Sequence, residues 1–177
     1  MTTTLPAPQR SYRFNHEASR WVFDYYTNLG YNIIFATIHG SYLYGTAHEH
    51  SDVDFYIVVE EGKNLQKKYE DNTDVVKMNL ERFLQLVWDG SHQAVEALCS
   101  PYTVWNDTHP YMPMLQRLQP SKGNMMRKSL SAARSFRTRA KKKTTNNPEK
   151  FMQHSRRLEK AAQDILKGNY TLVYMEY

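Results

Sequence analysis

Two aspartates two positions apart, Asp52 and Asp54, lead into the apolar run Phe55-Tyr56-Ile57-Val58-Val59. Residues i and i+2 of a strand point to one face, so both carboxylates are expected on the same side. There an oxygen-preferring divalent cation can bridge them. Upstream, a second apolar run (Ile33, Ile34, Phe35, Ala36, Ile38) gives way to Gly40-Ser41-Tyr42-Leu43-Tyr44-Gly45-Thr46. A glycine lets backbone approach a ligand closely, and a strand–turn–helix junction aims free N–H groups at an anion. The Ser41 hydroxyl adds a further donor. Cations on Asp52 and Asp54, with the β- and γ-phosphates of a nucleoside triphosphate on Gly40 and Ser41, make a metal-dependent phosphoryl-transfer site. Alone, a Gly-Ser is a common turn and an Asp-x-Asp is commonly a solvated strand edge. The ordered set in its strand–turn–strand context is what carries the reading.

Nucleotidyl transfer attacks an α-phosphate and expels pyrophosphate, and two Mg²⁺ ions about 3.5–4 Å apart can stabilise both oxygens at once. That demands a third carboxylate from a neighbouring strand. Asp74 is the best placed, because it opens Val75-Val76-Lys77-Met78. Glu70 and Asp71 compete, but they precede the apolar run in an apparent loop. Gly45 and Thr46 are expected to end the short helix after Ser41. Ser51 either bonds the aspartates or caps the turn before them. His48 and His50 lie nearby, yet no soft-ligand cluster at zinc spacing accompanies them, and they read as loop residues.

These residues need elements to hold them. A helix is expected from about Glu17 to Leu29, with Asn15 as a cap, Trp21, Tyr25 and Leu29 as its stripe, and Gly30 just past its end. Strands are expected over Ile33–Ile38, Val53–Val59 and Asp74–Met78, with a polar stretch from Lys63 to Asn72 between the last two. Asn79 caps a helix carrying Leu80, Phe83, Leu84 and Val87 and stopped at Gly90. Ser91 caps another through Cys99. Residues 102–120 carry prolines and aromatics without a clear period. A basic helix follows from about Ser121 to Lys143. Asn147-Pro148-Glu149 then reads as N-cap, N1 proline and acidic first turn of a helix ending at Gly168. Residues 169–177 are expected to be a short strand or a loose tail.

Together this describes an α+β fold: a small mixed sheet flanked by helices, followed by a helical C-terminal module. The organisation expected is a flexible arm at 1–11, a core at 12–118 and a basic helical module at 119–177. No apolar run approaches the roughly 18 residues that span a bilayer, and no signal-peptide pattern precedes residue 30, so no membrane partner is expected. The single cysteine, Cys99, suits a reducing compartment such as a cytoplasm and reads as a small core residue. The net charge of +5 is uneven: residues 1–118 carry −5 and residues 119–177 carry +10. The acidic part suits cations and the basic part a polyanion, although a solvated Lys/Arg-rich helical surface would look the same.

Lys150, His154 and Arg157, at i, i+4 and i+7, share one face of the last helix. They would contact triphosphate or an RNA backbone, or else form a solvated face. Arg134, Arg137, Lys141, Lys142 and Lys143 make a looser basic set. Tyr12, Tyr25, Tyr26, Trp88 and Trp105 can stack on bases, but packing is the plainer expectation, for Trp88 above all.

The segment Gly40–Val59 resembles the DNA-polymerase-β-like nucleotidyltransferase superfamily: Gly-Ser, a spacer, Asp-x-Asp, and a later Asp on an adjacent strand. Within it, Gly-Ser-x-x-x-Gly-Thr-x-x-x-x-Ser-Asp-x-Asp is similar to the predicted bacterial and phage nucleotidyltransferases found beside RNA-repair ligases. Phe83-Leu84 through Gly90, the Ala94–Pro101 stretch, the set Lys150, His154, Arg157, Leu158, and Leu166-Lys167-Gly168 match that group in order. His39 ahead of the Gly-Ser departs from it, and the chain stops soon after Gly168, which suggests a shortened substrate module. The resemblance implies Mg²⁺ or Mn²⁺ on Asp52, Asp54 and Asp74, phosphates on Gly40 and Ser41, and an NTP donor. It points to a bacterial or phage-infected cell. The leading acceptor is an RNA 3′ end. The alternatives are nucleotidylation of a protein such as a toxin partner, and a non-catalytic module that binds nucleic acid or protein. The intact carboxylate trio argues against the last, since clustered like charges repel without a cation.

Overall fold

The two strands that are apolar on both sides, β1 (Ile33–His39) and β2 (Val53–Val59), lie inside the sheet and are buried almost throughout. The structure, a computed structural model, describes residues 15–69, 72–142 and 147–168. Among these residues a five-stranded mixed sheet runs β3-β4-β2-β1-β5, with β3 at Leu65–Lys68, β4 at Thr73–Asn79 and β5 at Val104–Trp105. β2 pairs antiparallel with β1 and parallel with β4, while β3 and β4 form an antiparallel hairpin. Seven helices accompany it: α1 (Asn15–Asn28), α2 (Gly40–Leu43), α3 (Leu80–Trp88), α4 (His92–Cys99), α5 (Met112–Gln116), α6 (Lys122–Ala140) and α7 (Pro148–Leu166). This is the expected α+β class.

The chain divides into two compact units. One comprises the residues up to Leu84 together with Glu96–Leu118, and the other comprises Gln85–Val95 and the residues from Gln119 onward. In the first, one face of the sheet (Ile38, Phe55, Ile57, Val59, Val75) packs on Val22, Phe23 and Tyr26 of α1. The helix therefore buries positions 19, 22, 23 and 26. The expected stripe is displaced: Trp21 and Tyr25 are half-buried and Leu29 is 55% exposed. The buried Lys77 on β4 sets its ammonium 4.1 Å from the centroid of the Tyr31 ring, a cation–π contact that compensates part of its desolvation.

On the opposite face Phe83 of α3 closes over Phe35 and Tyr56, with ring centroids 5.3 and 6.1 Å away. Asn79 caps α3 as its type predicts, Oδ1 accepting from Arg82 N at 2.8 Å. Trp88 corrects the packing expectation, for it is 69% exposed. Phe83 and Val87, four apart, occupy the buried stripe, and Trp88 lies about 100° around the helix from Val87.

The expected polar stretch from Lys63 to Asn72 contains a strand that sequence reading missed. All four residues of β3 are exposed, so no alternation marks it. Its main-chain bonds to β4 hold it, and Asn72 turns the hairpin in the left-handed region at φ 61°. The Asn72 carbonyl accepts from Val53 N at 2.9 Å, tying the hairpin to the start of β2. Residues 102–120 resolve into β5 and α5.

In the second unit α6 and α7 pack together. Ser155 Oγ donates to the Ala133 carbonyl at 2.9 Å, and Phe136 stacks on Phe151. Both N-caps are as their types predict: Ser121 accepts from Asn124 N and Asn147 from Lys150 N. The proposed arm at 1–11, Tyr12, Glu70, Asp71, Lys143 and the 169–177 tail fall outside the described residues.

Phe83→Ala should destabilise the first unit by about 3–5 kcal/mol, the usual cost of removing a buried phenylalanine. Trp88→Ala should stay within about 0.5 kcal/mol, as befits an exposed side chain. Urea denaturation of the two variants checks the contrast.

Candidate active site

One row of directly paired residues crosses four strands at the end of the sheet. Lys68 on β3 lies opposite Asp74 on β4, Asp74 lies beside Asp54 on β2, and Asp54 lies opposite His39 on β1. Directly paired residues share a face, so the register sends all four side chains to one side. Asp52, the residue before β2, sits two positions from Asp54 and completes the carboxylate trio. The parallel pairing of β2 and β4 is what turns a sequence separation of 20 residues between Asp54 and Asp74 into adjacency.

Gly40, the first residue of α2, has φ +64°, and a Cβ built there would fall 1.9 Å from Asp54 Oδ2. Any side chain would expel the carboxylate. Two requirements thus coincide at this position, a left-handed backbone and an empty space. Downstream, Thr46 N bonds to the Ser41 carbonyl at 2.9 Å and Gly45 has φ +68°, which closes the short helix as expected. Ser51 caps the following turn: its Oγ accepts from His48 N at 2.9 Å. His48 and His50 are loop residues, with His50 Nε2 3.2 Å from Glu49.

Lys68 is the site residue that sequence reading missed, because its strand was missed. Its Nζ donates to Asp52 Oδ2 at 3.0 Å. The ammonium is held above the usual lysine range, first by this hydrogen bond and next by the charge of Asp74, with Asp52 and Asp54 contributing further charge. The one available signal was a Lys-Lys pair shortly before Asp74, at a distance that suits a hairpin.

A second network adjoins the row at His39. His39 and Glu96 are both buried, with Nε2 3.3 Å from Oε2, and the Tyr44 hydroxyl donates to the same Glu96 oxygen. Glu96 of α4 therefore meets residues on both sides of the Gly40-Ser41 turn, hydrogen-bonded to Tyr44 and close to His39. An acid within the otherwise apolar Ala94-Val95-Glu96-Ala97-Leu98 was its sequence signal. Cys99, three residues on, is half-buried, and burial raises its thiol pKa, with the Glu96 charge adding to it.

Among the described residues, no three His, Cys, Asp or Glu side chains form a ready-made metal cluster. The donor set nonetheless suits a hard cation. Asp74 Oδ1 is buried with no hydrogen-bond partner among the described residues, Asp54 is its ladder neighbour, and all the ligands would be carboxylate oxygens. A buried, unsatisfied acceptor is costly, and a cation at that oxygen removes the cost.

Lys150, His154 and Arg157 lie on α7 in the second unit. The expected shared cationic face is not what that helix displays. Lys150 is exposed, but the His154 ring stacks on Phe136 at 5.1 Å and Arg157 is only 8% exposed. Arg157 is only about 20° around the helix from Lys150, so the two still share a face, but that face is covered at Arg157 and open at Lys150 in the first turn.

Residues 25–104 match the family model of the nucleotidyltransferase domain. That stretch runs from α1 to the first residue of β5 and contains the whole carboxylate row. It is a nucleotidyltransferase domain of the DNA-polymerase-β-like superfamily, the class that the Gly-Ser and Asp-x-Asp pattern resembled. The chain accordingly carries the fold of a transferase that takes a nucleoside triphosphate. No curated protein matches the chain.

Gly40→Ala should cut nucleotidyl transfer by about 10²-fold or more, the scale of an ångström-sized misplacement of a reacting group. Steady-state turnover with labelled NTP measures it, and circular dichroism checks that the sheet persists. Asp54→Asn, which removes charge but keeps the shape, should also abolish transfer while leaving melting unchanged or slightly raised.

Proposed function

We propose that the protein moves a nucleoside monophosphate from an NTP to the 3′ hydroxyl of an RNA. The observation that carries the transfer chemistry is the cross-strand pairing of Asp54 with Asp74 beside Gly40. In this reading Asp52 and Asp54 hold the divalent cations, Mg²⁺ or Mn²⁺, and Asp74 serves the acceptor side. The Gly40-Ser41 turn receives the β- and γ-phosphates. When bound, the metal ions stabilise charge on the attacking and leaving oxygens. The chain's own contribution is placement: the sheet fixes the carboxylates, and the missing side chain at Gly40 lets the turn lie against Asp54. The His39–Glu96–Tyr44 network keeps that turn in position.

The acceptor reading rests on the second unit. Lys122, Arg127, Lys128, Arg134, Arg139, Lys141 and Lys142 are all exposed along and just beyond α6, a surface suited to phosphate contacts. We propose residues 119–177 as the acceptor-binding module. Trp88 adds an exposed indole in the same unit. Its carbonyl accepts from Asn124 Nδ2 at 2.7 Å, and Asn124 Oδ1 accepts from Arg127 at 2.6 Å. Exposed aromatic rings and a basic surface together are the combination that binds single-stranded bases.

The test incubates the protein with each labelled NTP, Mg²⁺ or Mn²⁺, and either RNA or cellular protein. Label on RNA supports the reading. Label on a protein instead would make a polypeptide the acceptor, and no label in any combination would leave a binding module. Asp74→Ala should lose transfer while keeping NTP affinity. Trp88→Ala should weaken single-stranded RNA binding by about 1–3 kcal/mol, read by filter binding, with no change in melting.

A further inference from the structure

We propose that Lys68 is the built-in counter-cation of the carboxylate trio, holding on Asp52 the place that a divalent ion takes, so that metal uptake is an exchange of one cation for another. The inference rests on the nucleotidyl-transfer reading for the identity of the incoming ion. Its own support is geometric. The ladder sets Lys68 directly opposite Asp74, and its Nζ lies 3.0 Å from Asp52 Oδ2. Three aspartates gathered at one sheet end repel one another without a cation, and a lysine delivered from the neighbouring strand relieves that repulsion.

The arrangement is also suited to release. The Lys68 side chain is 57% exposed and that of Asp52 37%, so the ammonium can swing into water without opening the core. Exposed ion pairs are weak, and a pair of that strength yields to a divalent ion. The strand itself is held by main-chain bonds to β4, which do not depend on the Lys68 side chain. Lys68 is therefore a positioning residue that holds Asp52 before the metal arrives.

The test compares wild type, Lys68→Met and Lys68→Arg for Mn²⁺ affinity without nucleotide, by electron paramagnetic resonance or calorimetry, and for melting with and without Mg²⁺. Lys68→Met should bind Mn²⁺ about two- to fivefold more tightly, the range that an exposed pair provides. Its metal-free form should melt lower than wild type and recover more on Mg²⁺ addition. Lys68→Arg, which keeps the charge, should stay near wild type in both measurements. Unchanged or weaker Mn²⁺ binding by a folded Lys68→Met would overturn the exchange. A separate failure is recognisable with Asp54→Asn as control. If wild type and Asp54→Asn take up Mn²⁺ equally or not at all, the metal assignment itself is wrong, and the exchange falls with it.

Discussion

The candidate site depends on a carboxylate that needs a hole in the chain opposite it. Asp54 projects from a strand that is buried almost throughout, and the space its Oδ2 occupies is where Gly40 would otherwise carry a Cβ. The turn after β1 must therefore be glycine both for its positive φ and for its emptiness. Once Asp54 is seated there, the parallel register of β2 and β4 brings Asp74 alongside, and the β3 hairpin brings Lys68. The rest of the first unit keeps this row from slipping. A shift by one residue would turn every side chain of the strand to the other face, exchanging Asp54 for the buried Phe55. The apolar face on α1 and the Phe35–Tyr56–Phe83 cluster both resist that exchange.

The polar groups of the site are met locally. The acidic sheet end has Lys68, and the buried Glu96 has the Tyr44 hydroxyl, with the His39 ring close by. The two arrangements differ in what they permit. The Glu96 network is buried, where losing a polar partner is costly, and it suits a fixed framework for the Gly40-Ser41 turn. The Lys68 pair is open to water, where ion pairs contribute little and exchange readily.

The second unit uses its charges differently. Its packing comes from small and apolar residues, Ala133 against Ser155 and Phe136 against Phe151, which leaves the lysines and arginines of α6 at the surface. Arg157 and His154 are drawn into the packed stripe of α7, while Arg137 is paired with Glu159. The exposed cations of α6, rather than the trio spaced along α7, form the open basic surface of this unit.

The sequence by itself determined the elements that carry strong local signals. β2 has the expected bounds Val53–Val59, Asn79 and Asn147 cap their helices, and Gly45 and Gly90 end theirs in the left-handed region. It also determined the transferase class, because glycine, serine and paired aspartates in a strand–turn–strand context are a local pattern. What only the tertiary structure decided are the relations that carry no local signal. β3 is polar and exposed and exists by main-chain pairing, so neither the strand nor Lys68 could be read from periodicity. The exposure of Trp88 and the burial of Arg157 follow from which helical face a neighbour covers, and sequence spacing fixes the angle around a helix but not the neighbour. The contact of Gly40 with Asp54 and the buried Glu96 link distant parts of the chain, and only the sheet register brings them together.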